Sequence, residues 1–170
     1  MATTFDLIQT FDAAVGGSAY ADFTSIPSTY TDLVFIVSSR NTDVYNEIHW
    51  LINGQTSGYS FQYYQARGTT PVNSFSNGGG STIQGTVQSN SNSAASQFGA
   101  GFIYVPYYQN GNIKKIVQSH SMQAKSTDFL VSWSSGANAQ TTTISSMRAQ
   151  SSIGNLAEGT KISLYGIKDA

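Results

Sequence analysis

Apolar residues recur at every second position in a series of short runs separated by turn residues, the period of a pleated strand. The first run is "TTFDLIQTF", with Phe5 and Leu7 on one face, followed by the turn "VGGS" and the short run "AYADFTSI". In "TDLVFIVSS" the alternation fails: Leu33, Phe35 and Val37 take one side, but Val34 and Ile36 make the other side apolar too. An antiparallel strand with one wet face should alternate. This strand is therefore read as central, its second face covered by another layer or by a neighbouring molecule. "EIHWLI" places Ile48, Trp50 and Ile52 together, and "NGQTSG" then leads into "YSFQYYQAR" as a hairpin. "GFIYVPYY" and "IKKIVQSHSM" form a second hairpin, whose Pro106 predicts an edge or a bulge. "DFLVSWSS" and "TTTISSMR" form a third, with Phe129, Val131 and Trp133 as its inward face. "GTKISLYGI" closes the chain, with Ile162 and Leu164 opposite Tyr165 and Ile167.

Residues 68–101 break the pattern, being mostly Ser, Asn, Gln, Gly and Thr. One short strand fits near "STIQGTV"; the rest reads as a polar, mobile arm. About ten strands joined by hairpin-length loops predict a single all-β domain over residues 1–170. Its expected form is an antiparallel β-sandwich or jelly roll with little or no helix.

Composition agrees. Ser, Thr, Asn and Gln make up 65 of the 170 residues, while charged residues are only 10%. The net charge is −1 and the longest basic run is Lys114-Lys115, which speaks against binding nucleic acid through its phosphates. So neutral a surface resists self-association poorly. There is no Cys, hence neither disulfide nor thiolate metal site. No apolar run approaches the roughly 20 residues that span a bilayer, and "MATTFDLIQTF" does not read as a secretory signal.

Candidate chemistry is sparse. Ser is plentiful, but no G-x-S-x-G elbow is present, and the two histidines, His49 and His120, lie in separate strands. Either histidine is better read as a strand residue than as a base or a zinc ligand. "RNTDVYNE" gathers Asn41, Asp43, Asn46 and Glu47 but matches no calcium motif, so it reads as an ordinary polar loop. No enzyme activity and no cofactor are predicted. The aromatics carry more: 10 Tyr and 9 Phe. Tyr63 and Tyr64 end one run, and Tyr107 and Tyr108 flank a turn; a Tyr ring suits a protein interface or a stacked sugar. Half of such rings must alternate into the core, and Tyr104 is assigned there. Val34 and Ile36 complete the set of interface candidates.

"SIPSTYTDLVFIVSSR" near the start, together with "GTKISLYGI" at the end, resembles a group of bacteriophage virion proteins. In that group an "IPSTYTDLVLV"-like strand precedes an "LRFNG"-like strand, and an "LYGI"-like strand closes the chain. Here "IHWLING" holds the middle position, with His49 and Trp50 departing from the pattern. The resemblance implies a β-sandwich on the outside of a phage particle, assembled in the bacterial cytoplasm. The resemblance does not itself choose between capsid and tail; a small chain with no coiled coil or fibre repeat to join it to a tail makes capsid decoration the expected role, as a homo-oligomer, with a trimer favoured, bound to the major capsid protein or another virion protein. The alternative is a tail-fibre or receptor-binding module that recognises host glycan. No functional residue carries over from the resemblance.

Overall fold

The computed structural model describes residues 4–45, 47–124 and 129–168. Twelve strands run in chain order, and no described residue is helical. They are β1 (Phe5–Asp12), β2 (Tyr20–Phe23), β3 (Asp32–Ser39), β4 (Glu47–Ile52), β5 (Tyr59–Arg67) and β6 (Thr70–Gly80), then β7 (Ile83–Val87), β8 (Gly99–Val105), β9 (Lys115–Ala124), β10 (Phe129–Asn138), β11 (Met147–Ser151) and β12 (Lys161–Ile167). Two antiparallel sheets pack into a β-sandwich: eight strands in the order β1-β12-β3-β8-β9-β10-β5-β6, and four in the order β2-β11-β4-β7. The core lies between them. Trp50 is its largest side chain, with the Phe35 ring 4.9 Å away and Phe23 edge-on to Phe35 at 5.1 Å.

The strand β3 is central, between β12 and β8, and Leu33, Phe35 and Val37 are buried. Its other face stays open in the single chain: Val34 is half-buried and Ile36 is 50% exposed.

Only one of the three expected hairpins forms, β8 with β9. The strand β8 is interior, and Pro106 falls just beyond its end, where the ladder needs no donor. The run "NGQTSG" does not join paired neighbours but crosses from β4 in the small sheet to β5 in the large one. It does so because Ile48, Trp50 and Ile52 and then Tyr59 and Phe61 all bury into one core from opposite layers. The buried Tyr59 hydroxyl ties the two strands together, accepting from the Ile52 N–H at 2.7 Å. Likewise β10 continues to Asn138, and the chain then changes sheet before β11.

Residues 68–101 hold two whole strands rather than one, and β8 begins within them at Gly99. The segment near "STIQGTV" is β7, and β6 pairs along β5 through its backbone, which needs no apolar side chains. A polar sequence is thus ordered as an edge strand.

The inward face of β9 and β10 is unusual. Between buried Val117 and Gln123 on β9, and between Leu130 and Asn138 on β10, its middle carries Ser119, Ser121, Ser132, Ser134 and Gly136, all small. Their size lets β7 approach closely. A bulge in the β4–β7 register leaves Gly85 without a partner in β4. Its carbonyl accepts instead from the Ser119 hydroxyl, and the Gln84 carbonyl accepts from Ser134 at 2.7 Å.

Candidate functional site

Because serine and glycine fill the middle of the inward face of β9 and β10, the large residues that alternate with them there face out. Phe129, Val131 and Trp133 therefore line the outer surface of the large sheet, opposite to the face expected from their hydrophobicity. Phe129 and Trp133 are about half exposed, and Val131 is partly covered.

The register sets Trp133 in a row. Ile36 on β3 lies opposite Phe102 on β8; Phe102 opposite His120 on β9; His120 opposite Trp133 on β10; and Trp133 opposite Tyr64 on β5. Four aromatic rings thus stand on four successive strands, about 4.8 Å apart. The rings of His120 and Trp133 stack at 5.1 Å and 28°, and Phe102 tilts against His120 at 5.8 Å. Beside the row runs a groove of about 310 Å³, lined by the four rings, Gln62, Gln118 and the serines between them. Toward β1 the same outer face continues through Val34, Tyr165, Leu7 and Phe5, the last two strongly exposed.

The predicted interface residues are divided among several places. Tyr64 and Ile36 lie in the row and Val34 beside it. Tyr63 points to the opposite side of the sheet, where its ring stacks with Phe75 at 5.5 Å and Phe61 at 6.4 Å. Burial, and then the charge of Glu47, raise its hydroxyl pKa. Tyr107 is exposed at the β8–β9 turn, away from the row, with φ of 46° and its N–H donating to Asp32 Oδ1 at 2.8 Å. Tyr108 is wholly buried and donates its hydroxyl to the Pro27 carbonyl, so its ring offers nothing at the surface. Both lie in the turn after β8, where the positive φ of Tyr107 sends its ring out while Tyr108 turns in. Tyr104, expected in the core, faces outward and donates its hydroxyl to Asp32 Oδ2 at 2.7 Å.

Sequence reasoning passed over Phe102, His120 and Trp133 as partners. The pointer to them was the repeated small-large-small pattern, "SHS" at 119–121 and "SWS" at 132–134. Two strands with serine flanking a ring can turn the serines inward only where a backbone lies close above them.

The two histidines are far from cooperating. His120 is on the outer face of the large sheet, and His49 alternates with the buried Ile48 and Trp50 in the small one. Nδ1 of His49 lies 3.1 Å from the Thr82 hydroxyl, and burial lowers its pKa. Among the described residues no group of three or more His, Cys, Asp or Glu could hold a metal ion. The polar loop after β3 is internally satisfied: Asn41 donates to the carbonyls of Tyr45 and Ile153 and accepts from the Asp43 N–H. Asn46 lies outside the described residues. The arrangement offers contact chemistry, with apolar rings, amides and hydroxyls on an open sheet face. Compared with family models, with curated proteins and with solved structures, the chain finds no match.

Proposed function

We propose that this chain is a bacteriophage virion structural protein that decorates the outer capsid, working as a homotrimer by surface contact rather than by catalysis. The observation that carries the reading is the uncovered apolar side of the large sheet along β1, β12 and β3. Phe5, Leu7 and Ile36 are each at least half exposed there. On these three strands the outward-facing charges stand at the ends: the Asp12–Lys161 pair at 3.2 Å at one, and Asp32 at the other. Large contiguous apolar patches on soluble chains mark association surfaces. A nearly charge-free patch can also meet another copy without like-charge repulsion. The resemblance in "SIPSTYTDLVFIVSSR" and "GTKISLYGI" supplies the virion context.

Quantitative mass analysis and imaging of purified particles test this. Copies in stoichiometric ratio to the major capsid protein are expected. A few copies at the tail tip would overturn it in favour of a receptor-binding module, the reading favoured by the aromatic groove.

A further inference from the structure

We infer that the groove beside Tyr64, Phe102, His120 and Trp133 is a binding site for a neutral oligosaccharide. A sugar ring has apolar C–H faces and a rim of hydroxyls. It therefore calls for flat apolar surface beside side chains that can both donate and accept. The groove offers both. Trp133 and Tyr64 are each 49% exposed and Phe102 is 43% exposed, so the row keeps much of its ring surface open to solvent. Gln62 and Gln118 border the rings, and neither side-chain amide has a hydrogen-bond partner among the described residues. Each amide thus has a carbonyl and an NH₂ free for a ligand.

Charge narrows the class. None of the outward-facing residues of β8, β9, β10 and β5 is Asp, Glu, Lys or Arg. Anionic sugars, nucleotides and phosphates would find no counter-charge there, whereas an uncharged pyranose chain needs none. Shape narrows it further. Four rings on successive strands span roughly 14 Å at the spacing of a sheet, the length of a short oligosaccharide and more than one sugar requires. The groove's lining crosses four strands, β5, β10, β9 and β8, so a bound chain would lie across them.

The inference stands apart from the virion proposal, since a cell-surface or soluble lectin would use the same groove. The test probes the purified protein with neutral oligosaccharides: cello-, malto-, manno- and xylo-hexaoses, and an array of uncharged bacterial surface glycans. Binding is read by calorimetry and by indole emission. Of the two tryptophans, Trp50 is buried, so a ligand-induced change in emission should report Trp133. Trp133→Ala should weaken binding by about tenfold or more, and Gln118→Ala should weaken it as well, both with unchanged melting. Tyr107→Ala should bind as the parent does. No binding to any neutral glycan would overturn the inference, as would binding that survives Trp133→Ala or is lost only with Tyr107→Ala. An oligomer that dissolves on Trp133→Ala, with no glycan effect, would assign the groove to a second copy instead. Particle composition reads the virion proposal separately, so either idea can fail alone.

Discussion

A β-carbon at Gly85 would lie 2.6 Å from Cδ1 of Trp50, closer than any relaxed contact allows. Trp50 is buried on all sides and cannot swing away, so the missing side chain is a packing requirement. Gly85→Ala is expected to destabilise the fold by about 1–3 kcal/mol, as overpacked cores do. Gly111→Ala, with open space around it, should stay within ~0.5 kcal/mol. Paired denaturant titrations give both values. His49 supplies a pH-dependent effect. Burial lowers its pKa below the ordinary 6.5, so the unfolded chain takes up the proton more readily than the folded one. The stability contribution is complete above pH 6.5 and is lost as pH falls through the lower folded value. Melting temperature should therefore decline as pH falls below about 6.5. His49→Gln should flatten that decline; an equally steep profile in the variant would show that another group is responsible.

The strand β7 is held less by its sheet than by the sheet facing it. It pairs with β4 alone, and its bulge turns the Gly85 carbonyl toward Ser119. Ser119→Ala leaves that buried carbonyl without its donor, at a cost of about 1–3 kcal/mol. Ser119→Ala combined with Ser134→Ala should raise amide exchange in β7 selectively while the β12 and β3 amides stay protected; uniform acceleration would mean that β7 is not a separate unit. The same contact explains what the sequence could and could not reveal about elements. Runs whose large residues face the core were readable, as with Leu33 in β3, Trp50 in β4 and Ile162 in β12, although the other side of β3 is apolar too. Hydrophobicity misplaced the faces of β10 because Ser132 and Ser134 earn their burial through a close backbone, a feature of another element. Pairing partners were also hidden. The loops after β4 and β10 have hairpin lengths, yet both change sheet, since a short loop closes an arch between layers as easily as a turn within one. The strand β6 escaped because its order comes from main-chain bonds to β5, which leave no mark in side-chain pattern. Of the candidate site, Tyr64 and Ile36, and the half-buried Val34, were legible as apolar residues off the core face. The row joining them required the register of five strands.

On the scale of the whole molecule, the sandwich has more apolar surface than its own two layers can cover. The small sheet has four strands against eight, and it covers only the inner side of the large sheet. The outer side is left with Phe5, Leu7, Ile36 and the ring row in a chain whose charged residues are few. If the β1–β12–β3 side is the contact through which copies assemble on a capsid, a charge placed there should affect assembly and not folding. Ile36→Lys is the sharpest probe. Ile36 is already 50% exposed, so the isolated chain should change in stability by no more than ~0.5 kcal/mol. Burying an unpaired ammonium against apolar neighbours at an interface costs several kcal/mol, so occupancy on particles should fall by more than about tenfold. Val15→Lys, on a loop and 88% exposed, is the matched control and should assemble as the parent does. Sedimentation of the pure chain reads the trimer, and quantitative mass spectrometry of particles reads occupancy. Equal assembly of the two lysine variants would mean that the apolar side of the large sheet faces solvent in the particle too, and the contact would then have to be sought along the open edge of β6.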